Sequence, residues 1–170
     1  MVKNFLFLAM FTLVGMTSVN AQRVALVDVN KILEALPEYA TAQKQLDQMA
    51  AKWRQQIDQE HDQIKGMYSK YQAEQVLMSD EMRTKKEEEI MAAEKAARKM
   101  QKDKFGPEGA LFVKRAELIQ PIQDKVYNAI QDYANQRGFD IILDMAGSAG
   151  VIFAAEKYNK TDDVISKLKN

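Results

Sequence analysis

The sequence predicts a mainly α-helical protein in which a long antiparallel, coiled-coil-like helical hairpin rises from a small α/β body with three short strands. From Pro37 to Arg137, apolar residues recur at spacings of three, four and seven among helix formers and charges, which is the periodicity of amphipathic and coiled-coil helices. Short β-branched runs lie on both sides of this stretch and indicate strands. The chain therefore divides into a body, residues 22–37 and 138–170, and an arm, residues 38–137.

The first 21 residues have the pattern of a secretory signal peptide. Lys3 precedes an apolar run from Phe5 to Val14, and small residues at Val19 and Ala21 suit a signal peptidase. This run is too short to cross a bilayer, which needs about 20 residues. We expect cleavage near Ala21 and a soluble exported chain; the alternatives are an uncleaved anchor or a buried apolar helix.

The composition does not indicate a strongly charged partner. The sequence has 24 basic and 24 acidic side chains, and Lys3 is the only charged residue of the signal segment. A nearly neutral chain gives no reason to expect nucleic acid as a partner. There are no cysteines, so neither a disulfide framework nor a lipidated cysteine is available.

The start of the body predicts a strand followed by a short helix. The segment from Arg23 to Val29 is a β-branched run with the length of a buried strand. Ile32, Leu33 and Leu36 then follow a helical spacing that should end before Pro37, where a second helix can begin.

The end of the body predicts a β-hairpin and a last helix. Phe139 to Met145 and Val151 to Ala155 flank a turn of small residues, which is typical of two antiparallel strands. Thr161 is placed to cap a final helix, with acidic residues in its first turn.

The outward helix of the arm runs from about Glu38 to Leu77 and would be roughly 60 Å long at 1.5 Å per residue. Ser79 and Asp80 favour a new helix start, so we place the hairpin tip at residues 78–80. The return limb is broken by two glycines around a proline at residues 105–109, and Pro121 predicts a kink. The return limb is the longer one, and we expect the segment at 105–109 to absorb the excess as a joint or an outward loop.

So small a body should be only marginally stable as a single chain, because a few short strands bury little apolar surface. Association would pair the exposed strand edges and cover both faces. The candidate contacts between chains are the apolar strand residues Val24, Leu26, Val27, Val29, Ile141, Ile142, Leu143, Val151, Ile152 and Phe153.

Four segments resemble the Skp/OmpH family of periplasmic chaperones. They are Ala25 to Leu33 (A-L-V-D-V-N-K-I-L), Ser79 to Glu89 (S-D-E-M-R followed by K-K-E-E-E), Gly138 to Asp144 (G-F-D-I-I-L-D) and Thr161 to Leu168 (T-D-D-V-I-S-K-L). The resemblance spans the chain after the signal segment. It implies a periplasmic trimer whose three helical arms enclose a cavity for unfolded outer-membrane proteins, and which acts without ATP.

The chain differs from the strongly basic members of that family in being nearly neutral. Lipopolysaccharide binding is therefore not expected, while contact with a membrane surface stays open. Client binding should depend on apolar contact more than on charge.

No residue pattern predicts an enzyme or a bound cofactor. His61 is the only histidine, and metal sites and Ser-His-Asp triads both need several convergent groups. We interpret it as a solvent-facing helical residue. The run from Glu87 to Glu89 follows two lysines and is more typical of a solvated, ion-paired helix face than of a cation site.

Methionine is concentrated along the arm, and this flexible side chain is common on surfaces that accept many partners. The methionines near the tip either fill the hairpin seam or contact clients. The candidate client-binding residues are Tyr68, Tyr71, Val76, Leu77, Met78, Met82, Ile90 and Met91. The alternative function is a structural coiled-coil spacer or envelope adaptor, which would need a continuous, well-filled seam.

Overall fold

The computed structural model describes residues 22–147 and 150–169, and these are mainly helical, as the sequence predicts. The predicted signal peptide lies outside the described residues. The elements, in chain order, are β1 (Val24–Val27), α1 (Val29–Glu34), α2 (Pro37–Glu74), α3 (Asp80–Phe105), α4 (Ala110–Arg137), β2 (Ile141–Asp144) and α5 (Thr161–Lys169), with 3-10 turns at Gln75–Leu77 and Glu156–Tyr158.

The body contains a two-stranded parallel sheet in place of the expected β-hairpin. Val24 lies opposite Ile141 and Val27 opposite Asp144. Parallel strands need a long crossover between them, and the whole arm supplies it. The prediction of antiparallel pairing was wrong because it considered only neighbours in sequence.

The third predicted strand does not form within the described chain. Residues 150–155 make no ladder, and Ile152 and Phe153 are 100% and 86% exposed. The free edge of β1 is occupied by a later segment of the chain, because the Lys160 amide donates to the Leu26 carbonyl at 2.8 Å. A strand needs a partner edge, and this edge is already occupied beside Asn159.

Two element boundaries differ from the prediction for reasons of hydrogen bonding. Asp28 accepts a hydrogen bond from the Lys31 amide at 2.9 Å and caps α1, so Val29 is helical and β1 ends at Val27. Thr161 is the first residue of α5, and its buried hydroxyl accepts from the Asp28 amide at 2.9 Å. This residue ties the end of β1 to the start of α5.

The arm is α2 packed against α3 in its distal part and against α4 nearer the body. At the tip, the Ser79 hydroxyl caps α3 by accepting from the Met82 amide at 3.3 Å. None of the helices described is both long and apolar enough to cross a membrane. The seam is formed by small and aliphatic residues that are buried on both limbs: Ala50, Ile57, Ile64, Ile90 and Ala97.

Two contacts show where the longer return limb goes. The Phe105 ring meets Trp53 at 6.2 Å between centroids, and Lys125 reaches Glu38 at 2.6 Å from Nζ to Oε1. The two limbs therefore lie side by side at both points, and the short break between α3 and α4 accounts for only a few of the extra residues of the return limb. Most of the excess is the last part of α4, which continues into the body.

The core lies where α4 crosses the body. Val126 is completely buried, and its neighbours come from β1, both short helices and the base of the arm. This single apolar cluster contains Val27, Val29, Ile32, Leu33, Leu36, Ala42, Leu46, Ile119, Ile122, Val126, Ala129, Tyr133 and Val164. Because α4 belongs to both parts, it joins the arm firmly to the body.

Candidate functional site

The distal part of the arm carries exposed apolar side chains, which we group as the distal surface. They are Val76 and Leu77 at the tip, and Met82 and Met91 on opposite sides of α3. Val76 and Leu77 lie in the 3-10 turn at the tip and are 84% and 88% exposed. Met82 and Met91 lie on α3 and are 55% and 57% exposed. More than half of the surface of each side chain is free of contacts within the chain, so this apolar area is available to another molecule.

The two tyrosines predicted to lie at this site are bonded across the hairpin. The Tyr68 hydroxyl donates to Glu94 at 2.9 Å, and the Tyr71 hydroxyl donates to Glu87. These hydrogen bonds raise the pKa of both phenols. Tyr68 and Tyr71 therefore hold α2 to α3 with their polar ends, and only their ring faces remain for an outside contact.

The remaining predicted residues lie in the seam or at its edge. Ile90 is 3% exposed, so the structure places it inside the hairpin and not on a surface. Met78 is half-buried and borders a crevice that Met67 and Ile90 also line. These residues belong to the packing between the two limbs.

Charged pairs surround the distal surface. Arg83 bonds Asp80 and Lys86 bonds Glu89, each at 2.5 Å and each three residues apart on α3. Exposed pairs of this kind contribute at most about 1 kcal/mol to stability. Their effect is to place charges of both signs on the helix that carries Met82 and Met91.

The body has a second apolar surface on the outer face of its sheet, which we call the outer sheet face. Val24 and Leu26 alternate with Ala25 and Val27 along β1; Val24 is half-buried and Leu26 is 6% exposed, while their partners Ile141 and Leu143 are 41% and 39% exposed. With the segment around Phe153 they line a concavity of about 770 Å³. The residues of this face are Val24, Leu26, Ile141, Leu143, Val151, Ile152 and Phe153.

Three of the predicted contacts between chains do not lie on this face. Val27 and Val29 are 1% and 8% exposed, and Ile142 packs against the same core. Strand alternation explains Val27 and Ile142, because successive side chains point to opposite faces, whereas Val29 is the first residue of α1. Their apolar surface is used within the chain and is not available to a neighbour.

An aromatic cluster beside the helix break was not anticipated from the sequence. The Phe105 and Trp53 rings meet edge to face, Lys104 lies 4.9 Å from the Trp53 ring and Arg54 lies 5.8 Å from the Phe105 ring. The available signal was a lone tryptophan next to a basic residue on one limb, matched by a phenylalanine next to a lysine on the other. This cluster fixes the level at which the two limbs meet.

The arrangement offers apolar contact to another molecule. His61 is exposed on α2, beside Asp58 and near Phe105. Across residues 22–147 and 150–169, no three acidic or histidine side chains are grouped so as to hold a metal ion.

Comparison with known proteins places the chain in a family. A family model described as outer membrane protein (OmpH-like) matches residues 23–168. The chaperone protein Skp of Photorhabdus laumondii is 26% identical over 171 residues, which cover 98% of this chain and 99% of that protein. The Skp protein of Pectobacterium atrosepticum is 23% identical over 154 residues, covering 88% and 87%.

A solved structure shares the fold. A putative outer membrane chaperone (OmpH-like) from Caulobacter crescentus superimposes with a TM-score of 0.71 at 11% identity, over 91% of this chain and 88% of that one. At that identity the likeness concerns the fold alone, but the family model covers nearly the whole described chain. This protein therefore belongs to the OmpH-like outer membrane protein family.

Proposed function

We propose that this protein is an ATP-independent periplasmic holdase that binds unfolded outer-membrane proteins in a cavity between helical arms and prevents their aggregation. The observation that carries the proposal is the distal surface, where Val76 and Leu77 are almost fully exposed at the end of a charged hairpin. The relatives named chaperone protein Skp support it.

The distal surface suits transient holding. Burying a whole Val, Leu or Met side chain stabilises a complex by roughly 1.5 to 3 kcal/mol, and a mobile client covers only part of each. One arm therefore binds weakly, without directional bonds that would fix the client in one shape. Several arms acting on one client raise the overall affinity without any new kind of contact.

The outer sheet face supports assembly as a trimer. Ile152 and Phe153 are exposed and line an open apolar concavity, which needs a cover in water. A second copy of the body provides matching apolar surface. The expected interface is reduced to the outer sheet face without Leu26, because Leu26, Val27 and Val29 are buried within one chain and Ile142 packs against its core.

The proposed compartment follows from the segment before Gln22 and from the family. Export and cleavage near Ala21 would release the chain into the periplasm, where ATP is not available to drive release. The client must then leave because insertion or folding elsewhere is more favourable.

The test is an aggregation assay on an unfolded outer-membrane β-barrel diluted from denaturant, with light scattering to determine whether the mature protein is a trimer. We expect the double variant Val76→Ser, Leu77→Ser to hold the client about tenfold more weakly, because two apolar side chains are lost from each of three arms.

The matched control is Phe112→Ser, Val113→Ser, which removes two consecutive exposed apolar residues from α4, at 61% and 46% exposure. It should hold the client nearly as well as the wild type. A monomeric wild-type protein that does not suppress aggregation would refute the proposal and favour a structural spacer.

A further inference from the structure

The methionines of the arm fall into two groups by exposure. Met82 and Met91 are more than half exposed. Every other methionine of the described chain is half-buried: Met49, Met67, Met78, Met100 and Met145. Met49 packs against the core, and Met67 and Met78 line the crevice above Ile90. Solvent therefore reaches two sulfurs far more easily than the rest.

Met82 and Met91 also lie on opposite sides of α3. They are nine positions apart, which is about two and a half turns at 3.6 residues per turn. A neighbour or client that covers one side of the helix leaves the other side open. The chain has no cysteine, so no thiol competes with these sulfurs for an oxidant.

We propose that Met82 and Met91 are oxidation sites at which a peroxide switches off part of the holding surface. This inference rests on the proposed holdase function. A sulfur lone pair attacks one oxygen of hydrogen peroxide, the S–O bond forms and the O–O bond breaks. The proton on the transferred oxygen passes to the departing hydroxide, which leaves as water. Sulfur loses two electrons, and the peroxide gains them.

The product has the opposite surface chemistry. A sulfoxide is polar and accepts strong hydrogen bonds from water, so it resists the desolvation that apolar client contact requires. Both side chains project from the hairpin and take no part in its buried seam, so the arm keeps its shape when they are oxidised. Reduction by methionine sulfoxide reductases restores the thioether.

The experiment uses the full mature protein treated with hydrogen peroxide and then freed of it. Peptide mass mapping should show oxidation concentrated at Met82 and Met91. We expect the treated protein to bind an unfolded β-barrel client about tenfold more weakly, with unchanged helical circular dichroism. Incubation with the two sulfoxide reductases should return the affinity.

Two variants separate the exposed sites from the seam. Met82→Leu, Met91→Leu should have the same client affinity after treatment as it had before treatment, because leucine keeps the apolar area and cannot be oxidised. Met67→Leu, which changes a half-buried sulfur, should lose affinity on treatment as the wild type does.

Equal oxidation of all methionines, or unchanged client binding by the treated wild type, would overturn this inference alone. A protein that fails to bind the client before any treatment would instead count against the proposed function.

Discussion

Gly106 should tolerate no side chain, although its backbone is ordinary. It ends α3 with φ −65° and ψ 172°, which alanine adopts without strain. A Cβ at this position would lie 2.5 Å from the Lys102 carbonyl oxygen, which is backbone and cannot rotate away. The helix end must therefore shift to accept Gly106→Ala.

Gly66 offers the opposite case within the same arm. It lies in the middle of α2, and a Cβ there would meet no atom within 4 Å apart from the adjoining backbone of its own helix. Gly66→Ala should stabilise the protein by about 1 kcal/mol, because alanine loses less backbone freedom in a helix. Gly106→Ala should destabilise it by about 1 to 3 kcal/mol, the usual cost of an overpacked position. The two variants should differ by about 2 to 4 kcal/mol.

Urea unfolding measures both variants. Trp53 is the only tryptophan and contacts Phe105, so its fluorescence reports on the break, while circular dichroism reports on all helices. Samples must have equal protein concentration, because assembly contributes to stability. If Gly106→Ala unfolds at the same urea concentration as the wild type, or later, the reasoning from the Lys102 contact is wrong.

Two further predictions concern the body. Val126→Ala should cost about 2 to 3 kcal/mol, because Val126 is fully buried, whereas Tyr127→Ala, at a 55% exposed neighbour, should change stability by about 0.5 kcal/mol or less in thermal unfolding. Burial, and then the 2.6 Å hydrogen bond to Asp163, raise the pKa of Tyr133 to about 12. The folded protein thus holds this proton more tightly than the unfolded chain, whose tyrosines titrate near pH 10. The resulting stability is complete below about pH 10 and is lost as the pH rises through about 12. In the Tyr133→Phe variant, the unfolding midpoint should fall less steeply with pH over that range than in the wild type. An equally steep alkaline decline in both proteins would contradict the assignment.

The candidate site was only partly readable from the sequence. The 3.6-residue period identified the apolar residues of the distal arm, but not which of them face the other limb. Ile90 and Met91 are adjacent, and the structure buries one and exposes the other. The rotation of α3 about its axis decides this, and it depends on packing against α2. The pairing of Tyr68 with Glu94 and of Tyr71 with Glu87 could likewise not be predicted, because it depends on how the two limbs are aligned along the arm.

By itself the sequence determined the long helices, because their signals are local. Pro37 at a helix start, the Ser79 cap and the repeated apolar spacing each act within a turn or two. The tertiary structure alone decided which strands pair and which face of the sheet is left open. Val24 meets Ile141 across more than 100 residues, and no local pattern encodes that choice. It follows from the packing of α4 through the body, which brings the two strands side by side.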